Sequence, residues 1–151
     1  TFNGKQFKIW AVNPPQQGID STGNDMLNNS VVLKLVYGER SFIFTSNILV
    51  EAQDELADKY GARLKCDILM IPDNGSLFGY CERFLQQVNP EAAVVSYGYL
   101  SGRSFSITEL ERTLERYRLK GIETFRTDIN GAVEIRTDGK SLDISCAAER
   151  L

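Results

Sequence analysis

The chain of 151 residues contains no histidine. Without an imidazole it cannot assemble a Ser-His-Asp or Cys-His catalytic pair from its own residues. A catalytic zinc site of the usual kind normally carries about one to three imidazoles and is excluded on the same ground. The three cysteines, Cys66, Cys81 and Cys146, are odd in number and widely spaced, without a CxxC pair. Neither a disulfide framework nor a zinc knuckle is therefore expected.

The chain also lacks an excess of positive charge and any long apolar run. It has 17 Lys and Arg against 20 Asp and Glu, a net charge of −3, which argues against non-specific binding of nucleic acid. The basic residues of segment 112–126 are interleaved with glutamates, as on a solvated helix face. No run of about 18 apolar residues and no signal-peptide pattern occurs. The sequence predicts a soluble segment without membrane contact, whose compartment is open and which could be part of a longer or membrane-associated bacterial protein.

The length suits one domain, so residues 1–151 are taken as a single unit. Segment 13–30 is polar and rich in Asn, Gly, Gln and Ser, which predicts a long polar loop. A structureless stretch of that length is uncommon in a compact domain and is either mobile or functional.

Apolar periodicity predicts strands that alternate with helices. The predicted strands cover 7–11, 31–37, 41–45, 67–71, 92–97, 122–127, 132–137 and 140–145. Three helices are predicted. The first follows Asn47 as its N-cap, and the second follows Ser76. The third begins at the capping box Ser106 to Glu109, where Ile107 starts the apolar stripe. The last three strands are expected to form a meander, with a two-residue hairpin turn at Asp138-Gly139.

This order predicts an α/β fold with a mixed β-sheet flanked by about three helices. The strands near 68–71 and 92–95 are apolar at consecutive positions, so both of their faces should be buried. Three helices would cover one face. The other face needs a cover, for which the alternatives are the terminal meander, another domain, another subunit, or a second copy of the chain in a homo-oligomer.

Five segments carry recognisable motifs in a fixed order. They are NNSVVL at 28–33, SFIFTSN at 41–47, CDILMIPDNGS at 66–76, VNPEAAVVS at 88–96, and GI, FRTD, GAV and RTDG between 121 and 139. Together they resemble the C-terminal half of the metallo-β-lactamase-fold domain of ComEC-type competence (DNA-internalisation) proteins. The matching family motifs are N-D-N-S, T-G-D, P-H-H-G-S and V-N-P-x-x-A-V-I-S. The resemblance spans roughly residues 28–144 and implies the C-terminal half of an αββα sandwich.

The chain departs from that family where the family binds metal. Enzymes of the superfamily hold one or two metal ions with His and Asp residues, and the metal activates water. Asn47 replaces the T-G-D aspartate, Asp73-Asn74 replaces the two histidines, and the G-H-P segment falls near Arg103. The upstream HxHxDH-type segment has no counterpart in 1–27. The resemblance thus implies a retained scaffold with a lost metal site, whose vestigial equivalents are Asn47, Asp73, Asn74 and Arg103.

Each of these residues also has a simpler interpretation. Asn47 could be a weak ligand but is placed as a helix N-cap. Asp73 is the only carboxylate at a ligand-equivalent position and is a weak candidate for Mg²⁺ or Ca²⁺, which often need about six oxygen ligands. A turn formed by Asp73, Asn74 and Gly75 is favoured over a metal site.

Two hypotheses follow. The first is a non-catalytic, metal-free, metallo-β-lactamase-like domain with a structural or binding role, linked to DNA uptake through the family; it has no catalytic residues and no cofactor. The alternative is one half of a metal-dependent hydrolase of the phosphodiesterase or nuclease type. In that case the other ligands to a divalent metal ion come from an upstream region or a partner chain. Nucleic acid is a partner that the family suggests but that the overall charge does not support.

Overall fold

A computed structural model describes residues 6–98 and 106–148. Its strands are β1 (Phe7–Asn13), β2 (Val32–Tyr37), β3 (Arg40–Phe44), β4 (Ile68–Met70), β5 (Ala92–Val95), β6 (Glu123–Arg126), β7 (Val133–Thr137) and β8 (Leu142–Cys146). Its helices are α1 (Asp25–Asn28), α2 (Val50–Tyr60), α3 (Glu82–Val88), α4 (Ile107–Arg118) and α5 (Thr127–Asn130). Short 3₁₀ turns lie at Gly61–Leu64, Pro72–Gly75 and Leu77–Gly79.

The first six strands form one mixed sheet in the order β1-β2-β3-β4-β5-β6. Strands β1 to β3 are antiparallel, with a long segment between β1 and β2 and a short turn between β2 and β3, whereas β3 to β6 are parallel. Each parallel connection contains a helix, α2, α3 or α4, as a crossover requires. The α/β class and the mixed sheet that the sequence predicts are confirmed.

Helices α2, α3 and α4 cover one side of this sheet, which we term the helix face. Their inward residues, including Leu56, Phe84, Leu110 and Leu114, are at most 2% exposed. Burial of each such side chain contributes about 1.5–3 kcal/mol. The capping box of Ser106 with Glu109 is present at the start of α4.

Two predicted helix details differ from the structure. Ile107, expected to face inward, is 46% exposed because the first residue of α4 precedes the contact of the helix with the sheet. The helix predicted after Ser76 is a 3₁₀ turn, and α3 begins at Glu82. At Gly79 the chain passes so close to Pro72 that an added Cβ would lie 2.8 Å from the Pro72 carbonyl oxygen.

The predicted terminal meander is wrong. Strand β6 pairs in parallel with β5, so it belongs to the main sheet, and β7 and β8 form a separate two-stranded sheet. The side chain of Asn130 accepts a hydrogen bond from the Arg126 N–H at 2.7 Å, which ends β6 in the short helix α5. The β7–β8 hairpin exists as predicted, but residues 138–141 form a four-residue loop between Thr137 and Leu142.

The β7–β8 hairpin lies against the second side of the main sheet, which we term the open face. Phe42, Ile68, Ala92, Val94 and Phe125 pack there against apolar residues of the hairpin. Strands β4 and β5 are therefore buried on both sides, as their apolar runs predict. The hairpin covers the β4–β6 part of this face and reaches Phe42 on β3, whereas Phe7, Ile9 and Phe44 in the β1–β3 part have no second layer over them among the residues that the structure describes.

The segment predicted as a long polar loop, 13–30, contains ordered contacts. It includes the short helix α1 and buries Ile19 at 5% exposure. Asn13 donates to the backbone oxygens of Asn28 and Ser30, both at 2.8 Å. These bonds fasten the segment to the end of β1.

Candidate functional site

The carboxyl ends of the parallel strands β3 to β6 meet at one edge of the sheet. Ligands of open α/β sheets usually bind at that edge. Thr45 at the end of β3 donates its hydroxyl to the Met70 carbonyl at 2.7 Å, and the Asp73 N–H donates to the Ser46 carbonyl at 3.1 Å. The structure thus brings the segments of Asn47 and Asp73 together, as the resemblance implies.

The backbone at this edge is strained. Ser46, Asp73 and Asn74 all have positive φ, at 50°, 47° and 51°. Residues other than glycine rarely adopt this region, and such strain concentrates at ligand sites and switches. Gly75 follows at φ 83°, where an added Cβ would lie 2.5 Å from Leu110 Cδ1 on α4. Helix α4 therefore packs directly against the turn that contains Asp73.

The carboxylate of Asp73 is engaged within its own turn. Its Oδ2 accepts a hydrogen bond from the Ser76 hydroxyl, and Ser76 Oγ in turn accepts from the Gly79 N–H at 3.1 Å. These contacts support the turn interpretation of Asp73 that the sequence favours.

The N-cap role predicted for Asn47 is wrong. Helix α2 begins at Val50, and the N–H of the preceding residue, Leu49, donates to Asn28 Oδ1 at 3.0 Å. Asn28 is fully buried and also donates to Thr22 Oγ1 and Glu51 Oε2, at 3.0 and 3.1 Å. Asn28 is thus a structural residue that sequence reasoning missed, although it lies in the NNSVVL motif.

The carboxyl edge does not fit a metal ion by itself. No group of three or more His, Cys, Asp or Glu side chains within 6–98 and 106–148 is placed to hold one. Asp73 supplies one carboxylate and Asn47 and Asn74 supply amides, whereas hard cations often need about six oxygen ligands. Arg103, the fourth vestigial position, lies outside the described residues.

The uncovered part of the open face is a second candidate site. Phe7, Ile9 and Phe44 are 48%, 51% and 43% exposed there. A groove of about 610 Å³ runs between this surface and the edge of β7. Its floor comes from the main sheet and its wall from Val133, Ile135 and Thr137. An apolar surface of this kind commonly marks an interaction site.

The wall of this groove is an unpaired strand edge. Ala147 N–H donates to the Ala132 carbonyl at 2.9 Å, which sets the phase of the β7–β8 ladder. Since bonded and non-bonded pairs alternate, Glu134 and Arg136 bond to β8. Val133, Ile135 and Thr137 turn their N–H and C=O groups to the groove, where no strand pairs with β7 in the part of the chain that the structure describes.

No family model matches the chain. The chain is 31% identical over 119 residues to Competence protein ComA of Neisseria gonorrhoeae, a match of 79% of this chain and 16% of that protein. It is 29% identical over 109 residues to ComE operon protein 3 of Bacillus subtilis (strain 168), covering 72% and 14%. It is 24% identical over 137 residues to Uncharacterized protein YcaI of Escherichia coli (strain K12), covering 91% and 17%.

These matches support a relationship of the chain to ComEC-type competence proteins, the group that its motifs resemble. The chain spans only 14% to 17% of the length of these relatives. No helix among residues 6–98 and 106–148 is long and apolar enough to cross a membrane.

Proposed function

We propose that this chain is a non-catalytic, metallo-β-lactamase-like domain that acts in DNA uptake by binding another polypeptide on its open face. The observation that carries the proposal is the apolar β1–β3 surface beside the unpaired edge of β7. The similarity of the chain to competence proteins supports the proposed role in DNA uptake. The carboxyl edge supports a non-catalytic role because Asp73 is bonded within its own turn.

The polypeptide that fits this surface is a β-strand segment in which every second residue is apolar. Its backbone would pair with Val133, Ile135 and Thr137, and its apolar side chains would cover the floor of the groove. Covering the exposed halves of Phe7, Ile9 and Phe44 would contribute roughly 3 kcal/mol in total. The relatives are several times longer than the region they share with this chain, so they contain ample polypeptide for such a strand.

The proposal is tested with the double variant Ile9→Glu/Phe44→Glu in a transformable host that carries this chain. Two charges on the floor of the groove should lower the transformation frequency at least about tenfold, since loss of half the apolar contribution already corresponds to that factor. The matched control is Met26→Glu/Phe78→Glu, which places the same charges at two other exposed apolar positions, 83% and 74% exposed.

The control should transform normally, and both variants should unfold at the same temperature as the parent chain. Unchanged transformation by the double variant would refute the binding role. Light scattering on the purified chain distinguishes the possible partners of the open face. A dimer that Ile9→Glu/Phe44→Glu converts to a monomer would identify a second copy of the chain as the partner. A monomeric parent chain would instead indicate a different polypeptide.

The strained backbone at the carboxyl edge favours a second candidate, one half of a metal-dependent hydrolase. Ser46, Asp73 and Asn74 have positive φ angles, of the kind that concentrates at ligand sites. A divalent ion would then bind between this edge and ligands supplied from outside the chain. About one equivalent of tightly bound zinc or manganese, in protein purified without added metal, would favour this candidate over the non-catalytic domain.

A further inference from the structure

Strand β1 lies at one end of the main sheet, so one of its two edges faces outward. Residues Phe7 to Ala11 of this strand are all exposed. No strand pairs with this outer edge within residues 6–98 and 106–148. The segment from Phe7 to Ala11 contains no proline, and its only charged side chain is that of Lys8. An edge with so few obstacles is a template for pairing with another strand.

The direction of the backbone groups of β1 follows from the bonds of its neighbours. The Ser41 N–H donates to Asp67 Oδ2 at 2.6 Å and the Ser41 carbonyl accepts from the Asp67 N–H at 2.9 Å, so Ser41 turns its backbone away from β2. Bonded and non-bonded residues alternate along antiparallel strands. Carried from β3 through β2, this alternation directs the backbone of Lys8 and Trp10 to β2. The outward N–H and C=O groups are therefore those of Phe7, Ile9 and Ala11.

Three outward residues at even spacing allow this edge to pair with a copy of itself. In an antiparallel arrangement with the two-fold axis at Ile9, Phe7 lies opposite the second copy's Ala11, and the two Ile9 residues lie opposite each other. Each bonded pair exchanges two hydrogen bonds, so these three pairs make about six. Moving the axis by one residue in either direction leaves only two bonded pairs within the segment. The bulge between Ala11 and Asn13 ends the regular part of the strand.

The side chains favour the same position of the axis. With the axis at Ile9, Lys8 lies opposite the second copy's Trp10 in a non-bonded pair, whose Cα atoms are about 4.5 Å apart. Trp10 is 46% exposed, so the ammonium can lie over its indole ring, which attracts a cation. With the axis at Lys8, two lysines would lie opposite each other and repel. On the other side of the sheet, the half-exposed side chains of Phe7 and Ile9 meet apolar residues of the second copy.

We propose that two copies of this chain associate through the outer edge of β1, antiparallel and with the two-fold axis at Ile9. The main sheets of the two copies then form one continuous sheet. A second copy is the partner that fits, because the regular segment, its apolar row and its single cation are complementary to the same edge after a two-fold rotation. This inference goes beyond docking on the open face, because the contact lies at the rim of the sheet and Phe44 on β3 takes no part in it.

Light scattering and intrinsic fluorescence measure the association together. Edge contacts of this size are weak, so the chain is studied up to about 0.5 mM. The mass should rise toward that of a dimer with concentration. The emission of Trp10, the only tryptophan, should shift to shorter wavelength as the second copy covers it. A chain that stays monomeric over the whole range would overturn the proposal.

Two glutamate variants form a matched pair. Ile9→Glu sets two carboxylates opposite each other at the axis and should raise the dissociation constant of the dimer at least about tenfold. Phe44→Glu places the same charge at an apolar position that is 43% exposed, on the same side of the sheet but away from the edge, and should leave the dimer unchanged. Because Ile9 belongs to both surfaces, Phe44→Glu alone separates them. A dimer that Phe44→Glu disrupts as strongly as Ile9→Glu would be held by the open face and would overturn the edge contact.

Disulfide cross-linking tests the register and does not depend on the glutamate variants. Under mild oxidation, an equal mixture of Lys8→Cys and Trp10→Cys chains should form a mixed disulfide, because about 4.5 Å between Cα atoms suits this bond. Lys8→Cys alone should cross-link at least about tenfold less, since the two copies of this position are offset by two residues and lie beyond the limit of about 7 Å.

The parent chain gives the background of the cross-linking experiment, because Cys66 and Cys81 are buried and Cys146 is partly buried. A mixed disulfide well above this background would support the register. Self-linking of Lys8→Cys as efficient as the mixed disulfide would contradict the axis at Ile9 and overturn the proposal. So would a mixture that cross-links no more than the parent chain.

Discussion

The buried amide of Asn28 gives the sharpest test of the structure around α2. Its Oδ1 is the acceptor for the N–H of Leu49, a residue only 8% exposed. The helix pattern of the sequence instead assigns the capping role to Asn47. Alanine at each position therefore separates the two assignments.

The magnitudes follow from the contacts. Asn28→Ala leaves the buried Leu49 N–H without its acceptor, which costs about 1–3 kcal/mol. It also removes the donors to Thr22 and Glu51, so a total loss of about 2–4 kcal/mol is expected. Asn47→Ala removes no helix cap and should change the free energy of unfolding by at most about 0.5 kcal/mol.

Urea unfolding, followed by circular dichroism, measures both changes. With a slope of about 2 kcal/mol/M, Asn28→Ala should lower the midpoint by about 1–2 M and Asn47→Ala by less than about 0.3 M. Asn28→Asp is the control, because it keeps the acceptor for Leu49 but loses both donors. A larger loss for Asn47→Ala than for Asn28→Ala would refute the structural role assigned to Asn28.

Two further predictions concern Gly75 and Cys66. Gly75→Ala should lower the free energy of unfolding by at least about 1 kcal/mol, because φ is 83° and the new methyl would meet Leu110; unchanged thermal unfolding would contradict this packing. Burial raises the pKa of Cys66 from 9.0 to about 12, so the fold favours the neutral thiol. The contribution of this thiol to stability is complete below pH 9 and is lost between pH 9 and 12. The urea midpoint of unfolding should therefore fall over that pH range. An equally steep fall in the Cys66→Ala variant would exclude this thiol as the cause.

Local patterns predicted those parts of the fold that depend on near neighbours in the chain. The capping box at Ser106 and the burial of β4 and β5 on both faces were predicted in this way, because a few consecutive residues determine a cap or an apolar run. The pairing of β6 was predicted wrongly because the same strand pattern suits a parallel or an antiparallel neighbour. Long-range pairing with β5, from Ala92 with Glu123 to Val95 with Arg126, places β6 in the main sheet.

The candidate sites, too, contain features that depend on long-range contacts and that the sequence did not predict. The segments of Asn47 and Asp73 lie side by side, but the acceptor for the Leu49 N–H at the start of α2 is Asn28, which is 21 residues before Leu49 and outside any local pattern.

The central claim is that another polypeptide covers the open face, and amide hydrogen exchange of β7 tests it most directly. In the isolated chain, the amides of Val133, Ile135 and Thr137 should exchange quickly, whereas those of Glu134 and Arg136 should be protected by β8. In the assembled state, with the proposed partner bound, Val133, Ile135 and Thr137 should become protected by at least about tenfold. Equal exchange of these three amides in the isolated and assembled states would contradict the claim.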